Sequence, residues 1–235
     1  MVSSELINGM KSYLLQKIKD DPEFVKDLGN FIVGMASVPQ NIRDFSEKSA
    51  AIGWFITSES YMANMKKAFD EGQEKLDSYM IAEIDHNYSK IKESLLQKHE
   101  NRKHILSVAF DLYEQQNWIS CIPLFLSQTE GIFSENVGSL LFSEHDLRKQ
   151  KLQERFKDKA GEYMPYLYTP FESKTQFSAG ISSASDNKKK NGPNRNGILH
   201  GSRKHLDYGT KINGYKCISL LSYVSMVFND LEEKT

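Results

Sequence analysis

From residue 105 onward, apolar side chains recur at the three-and-four spacing of an α-helix. Ile105, Val108, Ala109, Leu112 and Tyr113 fall on one face of a first segment. Trp118, Ile122, Phe125, Leu126, Thr129, Ile132 and Phe133 repeat the spacing in the next, where Pro123 is expected in the first helical turn. Cys217, Leu220, Leu221, Val224, Val227, Phe228 and Leu231 form the clearest stripe. Amphipathic helices hide such stripes by packing on one another, which predicts an all-α helical bundle.

The first hundred residues read as helical too. Glu5 to Lys19 and Pro22 to Met35 suit two helices, with Asp21-Pro22 as a start signal. Ser58 to Lys98 suits one long helix. Its residues Met62, Met65, Phe69, Leu76, Met80, Ile84, Tyr88, Ile91 and Leu95 approach a coiled-coil seam, and Gly72 is the point where it would be interrupted. A seam of this kind serves packing or dimerisation.

The pattern changes between Lys151 and Gly192. Met164 to Pro170 contains two prolines that resist helix formation, and Ser178 to Asn194 is rich in Ser, Gly, Asn and Lys, a loop composition. This long loop leads directly into Arg195. No internal repeat is found.

Composition narrows the class. Hydrophobic residues make up 39% and charged residues 26% of the 235, the balance of an ordinary globular protein. The two cysteines, Cys121 and Cys217, lie within apolar helical patterns and read as reduced core residues. No apolar run has the length of a membrane span, and the N-terminus lacks the layout of a signal peptide, so a cytoplasmic protein is expected. The net charge of −1 hides an asymmetry. Between Asn187 and Lys216, eight basic residues (188, 189, 190, 195, 203, 204, 211 and 216) face one acid, Asp207. That local +7 leaves −8 for the rest of the chain and suggests an anionic partner.

The chemistry concentrates in Asn191-Gly192-Pro193-Asn194-Arg195-Asn196-Gly197-Ile198-Leu199-His200-Gly201. It reads as a loop and a short helix, with Pro193 in the first turn and Gly201 at the end. Arg195 offers a planar guanidinium for phosphate oxygens, and a histidine such as His200 exchanges a proton near neutrality. These groups suit RNA cleavage by attack of a 2′-hydroxyl on the adjacent phosphate, which needs proton transfer and a cation but no metal. No carboxylate cluster, Walker loop or nucleophile elbow competes, and His86, His99, His104 and His145 show no ligand spacing. Geometry sets one difficulty: residues 195 and 200 lie about 140° apart on an ideal helix, whereas Asn196 and His200 share a face.

The segment resembles the Arg-x4-to-6-His signature of the HEPN superfamily, here Arg195, Asn196 and His200 within Asn-Arg-Asn-Gly-Ile-Leu-His-Gly. Leu206-Asp207-Tyr208-Gly209-Thr210 and the helix at 211–231 continue the likeness. So does the upstream helix, Ile119 to Ile132, which contains Leu126-Ser127-Gln128-Thr129-Glu130-Gly131. The resemblance covers about 99–235 and is most specific at 191–210, which sets residues 1–98 apart as an N-terminal helical region, an adaptor or dimerisation element, from a helical bundle over 99–235. It implies a bundle of four or five helices and a metal-independent endoribonuclease of a defence, abortive-infection or toxin system. It also implies a homodimer in which two motifs form one composite RNA cleft, and an antitoxin or regulatory protein as a further partner. Carried over, His200 is the acid–base group, Arg195 the phosphate stabiliser and Asn196 an orienting or substrate-binding residue. No cofactor or membrane partner is implied. Members that bind RNA, a nucleotide or a protein without cleavage offer the alternative function.

Five further positions are substrate-binding candidates. Glu130 either pairs with Arg195 or is solvated. His205, beside Arg203 and Lys204, either contacts RNA or is a surface histidine of a basic loop. Tyr208 either stacks on a base or packs against the last helix.

Overall fold

The computed structural model describes residues 4–142, 145–157, 168–173, 175–181 and 192–229. The fold is all-α, with no strand among the described residues. Two compact units divide at Ile42/Arg43, inside a helix, where the sequence places a boundary at 98/99. Residues 43–98 therefore belong to the same unit as the C-terminal helices.

The first unit carries α1 (Ser4–Asp20) and the beginning of α2 (Pro22–Ala51). The start signal at Asp21-Pro22 holds, and the Asp21 amide still donates to the Lys17 carbonyl (3.0 Å). The second helix runs well past the expected end at Met35.

In the second unit, the expected helix over 58–98 is two helices, α3 (Met62–Asp70) and α4 (Gln73–Lys98). They part at Gly72, whose φ of +114° is one that glycine adopts without a Cβ penalty. The seam residues Leu76, Met80, Ile84, Ile91 and Leu95 are buried within the unit's own core, and α4 packs on α3, α5 and the last helix. A 3-10 turn, Glu100–Arg102, leads into α5 (Lys103–Glu114). The buried face of α5 is Leu106, Ala109, Phe110 and Tyr113, one residue on from the expected stripe, and Val108 is exposed. Both sets obey helical spacing; aromatic packing of Phe110 on Phe125 and of Tyr113 on Trp118 selects between them.

The core is built on two helices, α6 (Trp118–Val137) and α10 (Lys211–Asn229), which share the most extensive helix–helix interface. Every residue of α10 from Gly214 to Ser225 is buried, so this is a central helix and not an amphipathic one. Leu231, the last residue of its expected stripe, lies outside the described residues. In α6, Pro123 falls in the second turn instead of the first, and so withholds an N–H from the carbonyl of Ile119.

Between these helices run α7 (His145–Phe156), the one-turn α8 (Thr169–Glu172) and a 3-10 turn, Gln176–Ser178. Pro170 was expected to oppose helix but stands in the first turn of α8, where its missing N–H costs nothing. Residues 164–167 lie outside the described residues, as does most of the expected loop, 182–191. Buried Arg148 donates to the carbonyls of Phe171 (2.5 Å) and Leu141 (2.7 Å), tying α7 to its neighbours. Cys121 and Cys217 are buried free thiols. No described helix is long and apolar enough to cross a membrane.

Candidate functional site

The motif folds as α9 (Arg195–Leu199), too short to stand alone and held by its two caps. Pro193 precedes the cap and is not in the first turn. Asn194 is the N-cap, and its side-chain oxygen accepts from the Gly197 amide (2.6 Å). At the other end, the amides of Gly201 and Ser202 donate to the carbonyls of Ile198 (3.1 Å) and Gly197 (2.8 Å), a Schellman closure with Gly201 at φ +63°. The side-chain nitrogens of Asn194 and Asn196 both donate to the Ala179 carbonyl, at 3.0 and 3.3 Å. Asn196 thus orients the chain entering the motif.

Arg195 opens the helix and turns towards α6. Its Nη2 forms an ion pair with Glu130 Oε2, its Nη1 donates to Asn196 Oδ1 (3.1 Å), and its guanidinium lies 5.9 Å from the Phe142 ring centre. The open alternative for Glu130 is thereby resolved: its side chain is 7% exposed and engages Arg195. Glu130 Oε1 has no hydrogen-bond partner.

The pair lines an open cleft of about 410 Å³ with Arg102 and Glu135. Its floor is Ser127, Gly131 and Ser134, spaced four and three apart on one face of α6. Arg102 lies across that face. A Cβ on Gly131 would stand 2.6 Å from its Nη1, so only glycine leaves room for the guanidinium. Arg102 Nη1 donates to Gln128 (2.9 Å) and Nη2 to Glu135 (2.5 Å). Arg102 and Glu135 belong to no motif; the run of small polar residues within an apolar helix is the one sign of them in the sequence.

His200 does not line this cleft. It is the exposed C-cap of α9, its amide donating to the Asn196 carbonyl (3.1 Å). One chain therefore brings Arg195, Asn196 and Glu130 together and leaves His200 facing solvent.

The structure also places His205, Tyr208 and the basic residues of 187–216. His205 is neither a surface histidine nor an exposed RNA contact: it is 4% exposed, with Nε2 donating to the Ile181 carbonyl (3.3 Å). Tyr208 is half-buried against the core, and Asn213 of α10 donates to its carbonyl (2.9 Å). Its hydroxyl donates to the Ile119 carbonyl (2.9 Å), the group that Pro123 leaves without its helical donor. Lys216 is not part of a basic surface; it is 2% exposed, donates to the Ile52 carbonyl (2.8 Å) and lies 5.4 Å from the Trp54 ring centre. Arg203, Lys204 and Lys211 are exposed, and Lys188, Lys189 and Lys190 lie outside the described residues.

Near Arg102, His99 is buried against Ser225 (Nε2 to Oγ 2.8 Å). Burial first, then the charges of Arg102 and Lys98, lowers its pKa to about 4. Among the described residues, no group of three or more His, Cys, Asp or Glu is placed to hold a metal ion. The chain matches no family model, no curated protein and no solved structure.

Proposed function

We propose that the protein is a HEPN-type, metal-independent endoribonuclease that cleaves RNA by attack of the 2′-hydroxyl on the adjacent phosphate. The observation that carries this reading is the placement of the motif. A five-residue helix delivers Arg195 into a cleft and presents His200 to solvent at its other end. Arg195, fixed on Glu130 and Asn196, is a preorganised cation for the phosphate's developing charge. His200 is open to a substrate as acid or base. Because His200 lies outside its own chain's cleft, two copies of the motif meeting across a homodimer would supply both groups to one phosphate. A role in phage defence or as a toxin, with a protein that restrains it, follows from the same resemblance.

The test is cleavage of single-stranded and structured RNAs by the wild type, His200→Ala and Arg195→Ala, with EDTA present. Wild-type products should end in a 2′,3′-cyclic phosphate, and each variant should lose at least about 100-fold in rate while staying folded. Wild-type protein that leaves every RNA intact would refute the reading.

A second reading is a binding module without turnover. The engagement of Arg195 by both Glu130 and Asn196 favours it, since those bonds also serve a purely structural arginine. Tight RNA binding that His200→Ala leaves unchanged, with no cleavage, would select it.

A further inference from the structure

We infer that Arg102 is a second phosphate-binding residue of the cleft, holding a neighbouring phosphodiester of the RNA strand, and that Glu135 occupies its place until RNA arrives. The inference rests on the ribonucleotide reading of the Arg195 site, but its evidence is separate.

Arg102 is built into position. Its side chain is 17% exposed, Gln128 holds Nη1, and bare Gly131 lets the guanidinium lie flat on α6. The cleft it shares with Arg195 has the volume of an ordinary ligand site. Ser127, Gly131 and Ser134 keep its floor low and polar, on a helix that contributes largely apolar residues to the core. Buried Glu130, ion-paired to Arg195, lines the same cleft, with its other carboxylate oxygen closed to solvent. An anion suits this set, with a phosphate set against the two arginines.

Glu135 is the part that can yield. Its side chain is 58% exposed, and its pairing with Arg102 is the sort of surface ion pair that is weakly held and screened by salt. A phosphate replacing that carboxylate meets a guanidinium already ordered by Gln128 and Gly131, so little rearrangement opposes binding. Glu135 would then act as a competing anion that discourages short or weakly charged ligands.

The test measures binding of a labelled single-stranded RNA of about ten nucleotides as a function of salt, in a His200→Ala background. Arg102→Gln should weaken binding about tenfold and reduce the slope of log K against log salt by about 0.7, the share of one single-strand phosphate. Glu135→Gln, which leaves Arg102 in place, should tighten binding severalfold. Thermal denaturation of each variant identifies loss of fold. An unchanged slope in Arg102→Gln overturns the inference, as does a Glu135→Gln variant that binds as weakly as Arg102→Gln, the signature of a structural ion pair. Cleavage by the otherwise wild-type chain with no effect of Arg102 on binding removes this subsite and leaves the ribonuclease reading intact. Arg102-dependent binding without cleavage does the reverse, and no binding of RNA at all removes both.

Discussion

Pro123 and Tyr208 explain one another. A proline in the second turn of α6 leaves the Ile119 carbonyl without its helical donor, and the Tyr208 hydroxyl, from a segment 89 positions away, takes that place at 2.9 Å. Because the bond is solvent-accessible and neutral, Tyr208→Phe should cost only about 0.5–1 kcal/mol in urea denaturation. The informative measurement is the double-mutant cycle. With Pro123→Ala the helix supplies its own N–H to Ile119, so the Tyr208→Phe penalty should shrink towards zero; equal penalties in both backgrounds would disprove the coupling. A single tyrosine in a sequence carries no sign of such a role. Its ring suggests stacking or packing, and only the fold reveals a stranded carbonyl 89 positions earlier.

At the scale of the element, α9 depends on its neighbours more than on its own sequence. Five residues cannot nucleate a helix, so caps and contacts fix it. Gly197 is the tightest of these contacts: a Cβ there would stand 2.0 Å from His205 Cδ2, and His205 is itself buried. Gly197→Ala should therefore cost about 1–3 kcal/mol of stability and expel the His205 ring. Pairing it with His205→Ala should recover much of that loss, whereas additive losses would show that the two do not meet. The short helix of the motif was legible because its signals are local: Gly201 as terminator and the Arg195 to His200 spacing lie within seven residues, whereas the start was placed at Pro193 and the cap is Asn194. So were the helices α4, α6 and α10, whose apolar spacing survives in the fold. The face of α5 was not, because two sets of positions one residue apart satisfy the same period, and the aromatic partners that decide between them come from other helices. Arg102 was not legible either, since its meaning depends on Gly131, which approaches it from another element.

For the whole molecule, the central helix α10 determines how stability responds to pH, because two buried bases attach other segments to it. His99 joins the turn before α5 to Ser225, and Lys216 joins α10 to the Ile52 carbonyl. Burial lowers the pKa of His99 to about 4 and that of Lys216 to about 8. In each case the unfolded chain binds a proton that the folded chain does not, so stability rises with pH across the window between the folded and unfolded values. For His99 the window runs from about 4 to the ordinary histidine value near 6.5, and acidification through it should remove about 3 kcal/mol. For Lys216, raising the pH from 8 to about 9.5 should contribute about 1.5 kcal/mol, read as the difference between the wild type and Lys216→Met, because burial raises the thiol pKa values of Cys121 and Cys217 and these oppose the gain over the same window. Above that, buried tyrosines such as Tyr223, whose pKa burial raises, oppose the gain, which is why the measurement should stop there. Denaturant titrations of the wild type, His99→Asn and Lys216→Met at pH 4.5, 6.5, 8 and 9.5 separate the two contributions from those of surface carboxylates, which all three proteins share. Relative to the wild type, each variant should lose its own contribution in its own window and follow the wild type in the other, the falling contribution of the buried thiols Cys121 and Cys217 being common to all three. A Lys216→Met protein whose stability changes between pH 8 and 9.5 by the same amount as that of the wild type would mean that the buried lysine carries no unfavourable charge, and that α10 is held at Ile52 by an ammonium fully compensated within the core.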